Sequence, residues 1–304
     1  MEGHAGARRL TPSRCTRSRA KHGTSLGRVT TERLRVDLSG APQTMLATLY
    51  AKALDADFKE PILGDRFAKQ IVERIDYDWK KTTITPRRAP SVATRSAHFD
   101  AWTNQFLVAH PHAVVLHVGC GLDSRFFRLQ PGPGVEWYDV DYPEVAALRS
   151  QLYPAAERYH VVAASVTDPG WLADIPADRP GLMVGEGLTM YLTEQDGIAL
   201  LRRVVGHFGS GELQFDAFNW LGIKAQVLNT VVRRSGSALR WAINGPDDIV
   251  ATVPELRLVA WQRWFESDTF AKLPRSARLM GKAMALVSAV ADMSQYHRYA
   301  FGTA

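Results

Sequence analysis

From residue 113 onward, short β-branched or aromatic runs alternate with helical stretches. The runs are 113–118 (AVVLHV), 135–140 (VEWYDV), 159–164 (YHVVAA), 181–186 (GLMVGE) and 212–218 (ELQFDAF). Between them lie "DYPEVAALRSQLY" and "TEQDGIALLRRVVGHF", the second with Thr193 placed to cap it. Strand alternating with helix five times over predicts a parallel α/β sheet. Beyond it, 219–243 reads as a helical insertion, 255–266 as a strand, 277–293 as a helix and 294–302 as a last strand.

The first run ends in Gly119-Cys120-Gly121. Strand, Gly-x-Gly, helix is the plan for seating a cofactor at the carboxyl end of a parallel sheet. The dinucleotide fingerprint needs a third glycine, and here that position is Ser124. The acid expected about 20 residues on is present as Asp141. A missing third glycine favours a cofactor without a pyrophosphate, S-adenosylmethionine, over a nicotinamide dinucleotide. Asp141 would grip ribose hydroxyls, or else only cap the helix after Tyr142-Pro143.

Ahead of the sheet, Met45, Leu46, Leu49, Tyr50, Ala53 and Leu54 recur at helical spacing. Further helices are expected from Asp65 to about Ile75 and from about Thr94 to Val108. Residues 36–110 therefore form a helical cap on a core of 111–304. Residues 1–35 hold nine Lys/Arg against two acids, which leaves 28 bases against 29 acids elsewhere out of totals of 37 and 31. The basicity belongs to this tail, expected to be a disordered extension or the product of an upstream start, with a transit peptide as the alternative. The near-neutral body offers no basic face for nucleic acid. No run of about 18 apolar residues predicts a membrane span. Two cysteines, Cys15 and Cys120, fit a reducing, cytoplasmic setting. His110 and His112 flank a proline, and nothing around them suggests a metal.

"VVLHVGCGLDSRFFRL", "WYDVDYPEV", "SVTDPGWL" and "GEGLTMYL", in this order, resemble the leucine carboxyl methyltransferase family. The upstream "DLSGAPQTMLATLYAKALDADFKEPILGDRFAKQIVERIDYDW" is similar to its bacterial branch of tetracenomycin-type polyketide O-methyltransferases. The resemblance implies a class I, Rossmann-like S-adenosylmethionine-dependent methyltransferase with a seven-stranded sheet, its last strand antiparallel. It implies that Gly119, Cys120 and Gly121 pass under the cofactor's amino-acid part and that Asp141 holds the ribose. It also implies that Ser165 and Val166 sit by the adenine and that Glu186 faces the reaction centre. Arg95, with Lys52 as an alternative, would pair with the cofactor carboxylate. Three departures stand out. His117 replaces a usual Asp or Asn near the cofactor amino group. Ala101 in "HFDAW" stands where relatives often carry arginine. Ser165 replaces an Asp.

His117 is either a cofactor contact or a satisfied core histidine. Met190 and Tyr191 either line the acceptor pocket or pack in the core. Phe218, Trp220 and Trp241 are candidate lid aromatics over a small-molecule, aromatic acceptor. The expected activity is O-methyl transfer to a carboxylate or an acidic phenol. No His–acid pair stands near the motifs, so an acceptor that is already acidic is favoured. Tyr191 and His98 are the candidate bases if one is needed. Alternatives are carboxyl methylation of a protein C-terminus, an NAD(P)-dependent oxidoreductase, and a cofactor-binding module without catalysis. Oligomeric state is not legible.

Overall fold

The computed structural model describes residues 33–36, 41–228, 230–235 and 237–303. The basic tail expected over 1–35 thus lies outside the described residues, except that Leu34–Arg35 pair in parallel with Ile75–Asp76.

Seven strands form one sheet: β1 (Ala113–Val118), β2 (Val135–Asp141), β3 (Tyr159–Ala163), β4 (Gly181–Gly185), β5 (Ser210–Phe218), β6 (Arg257–Arg263) and β7 (Ser294–Gly302). Their order is β3-β2-β1-β4-β5-β7-β6. The first five are parallel, and β7 inserts antiparallel between β5 and β6. Order reverses between β1 and β4, which opens a crevice at their carboxyl ends. Every residue of β1 and β4 is buried, as a sheet covered on both faces requires.

The period of two along β1 builds both layers. Val114, Leu116 and Val118 join the cluster containing Leu200, Leu201 and Val204 of α6 (Glu194–His207). Ala113 and Val115 point the other way, to Phe99, Trp102 and Phe106 of α3 (Ala89–Ala109). His117 shares that second parity. A third cluster joins α1 (Ala41–Asp55) and α2 (Arg66–Arg74) to Leu122 and to α5 (Pro143–Leu152), so the N-terminal helices sit beside the glycine turn. Asp65 caps α2 by accepting from the Ala68 amide at 3.0 Å. Between β1 and β2 lies the short α4 (Arg125–Leu129).

Three expectations change. Helix α3 begins at Ala89 because Pro90 fits its first turn, where no amide is needed. The helix expected over 277–293 is broken into Arg275–Met284 and Ser288–Ala291. The insertion 219–243 is only half helical. It holds α7 (Trp220–Lys224), a 3-10 turn (Ala225–Leu228) and α8 (Thr230–Ser235), and then an extended strap. Along that strap Leu239, Trp241 and Ile243 are buried while Arg240 and Asn244 are exposed, a period of two. Two hydrogen bonds hold it, Arg240 N to Met190 O in the 3-10 turn Thr189–Tyr191 at 2.8 Å and Ile243 N to Phe218 O at the end of β5 at 2.9 Å.

Candidate active site

The turn after β1 depends on two left-handed glycines, Gly119 at φ 61° and Gly121 at φ 52°. A Cβ on Gly121 would stand 2.8 Å from Met45 Cγ of α1. The Gly121 amide donates to Asp141 Oδ2 at 2.7 Å, and the Tyr142 amide donates to Oδ1 at 2.8 Å. Asp141 thus braces the turn, and burial raises its carboxyl. Ser124 is wholly buried, and its hydroxyl reaches both Asp65 oxygens, at 2.7 and 2.8 Å. The position where a dinucleotide site keeps glycine here ties the turn to the cap of α2.

Beneath the turn lies a connected network of charges. Arg125 is completely buried. Its Nε donates to Asp100 Oδ1 at 2.9 Å, Nη1 to His117 Nε2 at 3.0 Å, and Nη2 to Glu186. Since His117 Nε2 accepts, its proton sits on Nδ1, 2.9 Å from Asp139 Oδ1. Burial lowers His117, so the ring stays neutral. Asp139 also accepts from Trp137 Nε1 at 2.9 Å, Tyr159 Oη at 2.6 Å and Arg149. Arg128 binds Asp65, Asp100 and Asp123. Lys52 Nζ lies 3.0 Å from Asp123 and 3.8 Å from Glu186.

Glu186 is equally crowded. Arg95 Nε donates to it at 3.1 Å and Ser96 Oγ at 2.6 Å, besides Arg125 and Lys52. Burial alone would raise its carboxyl, but Lys52, Arg125 and Arg95 outweigh burial and hold it well below the usual carboxylate range. Arg95 also binds Asp216 Oδ2 at 3.1 Å, while Gly187 N donates to Oδ1 at 2.6 Å.

A cavity of about 900 Å³ opens above this floor. The structure brings Lys52, Arg95, His117, Gly119, Cys120, Gly121, Asp141, Glu186 and Tyr191 together on its wall. Ser165 and Val166 do not line it: Val166 is in the main core cluster, and Ser165 Oγ pairs with Thr167 Oγ1 at 2.8 Å. Position 101 is exposed on α3 and faces away from the cavity, so Arg95 is the α3 arginine that reaches it. Of the lid aromatics, only Phe218 lines the cavity. Trp241 is in the core, and Trp220 is about half exposed with Lys224 Nζ 5.1 Å from its ring. Among the described residues no cluster could hold a metal, and no helix is long and apolar enough to cross a membrane.

Glu186 and Tyr191 were expected to be catalytic, and neither is poised to take up a proton near neutral pH. Glu186 is locked by its cations, and burial raises the Tyr191 phenol so that it stays protonated. His98 is off the cavity, stacked 4.3 Å from Tyr296, with burial lowering it to about 4. Sequence reasoning missed Asp100, Asp123, Arg125, Arg128, Asp139 and Asp216. One signal was available: Asp139 shares strand parity with Asp141, and the β1–β2 register sets it opposite His117.

The leucine carboxyl methyltransferase family model matches residues 43–205. The chain is 38% identical over 266 residues to the tetracenomycin polyketide synthesis O-methyltransferase TcmP of Streptomyces glaucescens, covering 88% of this chain and 98% of that one. It is 36% identical over 275 residues to the S-adenosyl-L-methionine-dependent methyltransferase dpfgK of Gibberella zeae, covering 83% and 91%. Among solved structures, a candidate methyltransferase of Thermobifida fusca superimposes with a TM-score of 0.53 at 15% identity, covering 83% of this chain and 94% of that one. A DUF574 family protein of Streptomyces avermitilis gives 0.55 at 14%, covering 84% and 97%. At that identity the likeness concerns the fold.

Proposed function

This chain belongs to the leucine carboxyl methyltransferase family, and we propose that it methylates a carboxylate or an acidic phenol on a small aromatic, polyketide-type molecule. It is an S-adenosylmethionine-dependent methyltransferase; the nicotinamide alternative falls with the family assignment. The residues present fit that cofactor. The cavity wall offers both kinds of partner, carboxylates at Asp123, Asp141 and Glu186 and cations at Lys52 and Arg95 beside them. A ligand that carries a sulfonium, an ammonium and a carboxylate needs both.

When bound, S-adenosylmethionine supplies an electrophilic methyl group on a sulfonium. Arg95 and Lys52 offer cationic donors to its carboxylate, and Asp141 offers acceptor oxygens to its ribose. The turn at Gly119 and Gly121 keeps side chains out of the way. Apolar walls, among them Met45, Leu188, Met190 and Phe218, exclude water from the transfer.

The observation that carries the reading is the missing base. His117 uses both ring nitrogens, Asp141 is committed to the Gly121 and Tyr142 amides of the turn, and the cations around Glu186 and Asp123 leave those carboxylates too weakly basic to take a proton. Burial keeps the Tyr191 phenol and the Cys120 thiol protonated. An acceptor entering this cavity must arrive with its own charged oxygen, as a carboxylate does at neutral pH. The polyketide name of TcmP supports an aromatic acceptor.

The test is incubation with cofactor and a panel of aromatic carboxylic acids, acidic phenols and peptides ending in a free carboxylate. Mass spectrometry should find methyl product from the aromatic acids or acidic phenols. Transfer to the peptides alone would sink the small-acceptor reading.

A further inference from the structure

Charge is spread unevenly around the cavity. Its acids are Asp123, Asp141 and Glu186, all near the strand ends and all bonded to the protein. Lys52 and Arg95 answer those acids. The other two charged lining residues are Arg88, just before α3, and Arg240 on the strap, both cationic.

Arg240 is mounted with unusual firmness for an exposed residue. Leu239 and Trp241 on either side are about 95% buried. The Arg240 amide donates to Met190 O at 2.8 Å. Gln226 brackets Leu239, donating from Nε2 to its carbonyl at 3.1 Å and accepting from its amide at 2.9 Å. Among the described residues, the Arg240 guanidinium itself has no carboxylate partner. A fixed backbone lowers the entropy lost when the side chain closes on a ligand. A guanidinium presents a planar fork of donors matched to a carboxylate.

We propose that Arg240 anchors an anionic group of the acceptor other than the oxygen that is methylated. A guanidinium draws charge from the oxygen it binds and makes it a poorer nucleophile, so anchor and acceptor oxygen are separate groups. The acceptor class is then an aromatic diacid, or an aromatic acid that also carries an acidic phenol. This proposal rests on the small-acceptor reading above.

The experiment measures binding of 6-hydroxy-2-naphthoate and of 2-naphthol at pH 7 to protein saturated with S-adenosylhomocysteine, by titration calorimetry. The wild type binds the naphthoate about tenfold or more tightly than the naphthol, the scale of a charge-assisted pair. Arg240→Gln binds the two alike, Arg240→Lys keeps part of the preference, and both variants keep wild-type affinity for S-adenosylhomocysteine. A preference that survives in Arg240→Gln overturns the proposal, as does a wild type that shows none. Methyl transfer is scored separately. A preference that depends on Arg240 without methyl product from any aromatic acid or phenol counts against the proposed reaction and leaves the anchor standing.

Discussion

His117 and Asp139 face each other across β1 and β2, with 2.9 Å between Nδ1 and Oδ1. Where Asp or Asn is usual at position 117 in the family, this chain has a neutral ring that joins an acid one strand away, Asp139, to Arg125 and so to Glu186. Residue 117 is thus a relay, and both of its ring nitrogens are already taken. His117→Asp would set a third carboxylate beside Asp123 and Asp139. We expect a loss of about 3–5 kcal/mol in chemical denaturation, because Arg125, the cation bonded to this position, is already shared by Asp100, Asp123 and Glu186. His117→Gln, neutral like the native ring, should lose less. Equal stability of His117→Asp and wild type would refute the relay.

Among the described residues, three histidines are buried in the neutral form. Burial lowers His98 to about 4 and His297 to about 3, and it lowers His117 as well. The unfolded chain binds protons at these rings near the ordinary value of about 6.5, while the folded chain does not. Stability is therefore complete above about pH 6.5 and falls as pH drops below it. Each ring costs at most about 2 kcal/mol between pH 6.5 and 5, at about 1.4 kcal/mol per unit. His98→Phe keeps an aromatic ring between Trp102 and Tyr296. It should shrink the pH-dependent loss, read from urea midpoints at pH 7 and 5. An unchanged loss would show that His98 titrates normally.

Ser124→Gly restores the dinucleotide fingerprint in letter only. It removes a hydroxyl that binds both oxygens of Asp65 and connects the turn to α2. The expected cost is about 1.5–3 kcal/mol, the range for a hydrogen bond to a charged group. NADH should bind no better than to the wild type in a fluorescence titration. Gained NADH binding would mean that Ser124 itself excludes the dinucleotide.

The sheet was legible because its strands are short apolar runs flanked by turn residues, and because the turn needs glycines. Gly119, Gly121, Asp141 and Glu186 were legible for the same reason: each stands at a strand end. The charge network was not. Arg125, Arg128 and Asp100 look like surface residues of α3 and α4 and Asp123 like a residue of an open turn, and only the docking of those helices buries them. Ser165 and Val166 were carried over by position alone, and the loop after β3 turns Val166 into the core. The strap was misread because Leu239, Trp241 and Ile243 follow a helical stretch, so their period of two was absorbed into it.

That misreading changes how the lid can be tested. Deleting all of 219–243 would remove Trp241, against whose ring a Cβ on Gly197 would stand at 2.0 Å. It would also remove Ile243 from the main core. Loss of a buried tryptophan alone costs about 3–5 kcal/mol, so such a protein fails for reasons unrelated to acceptor binding. Replacing only 220–235 with a short glycine-serine loop keeps Trp241, Ile243 and the strap's bonds to Met190 and Phe218, and gives up the Gln226 bracket on Leu239. That segment includes Gly222, Ala225, Gln226, Val231 and Val232 of the cavity wall. We expect S-adenosylhomocysteine affinity within about threefold of wild type, a difference below about 1 kcal/mol. Methyl transfer should fall at least about a hundredfold, because the acceptor loses its apolar wall and its exclusion from water. Calorimetry and a product assay on the same preparation separate the two effects. Equal loss of cofactor binding and turnover would show that 220–235 holds up the cofactor site rather than closing over the acceptor.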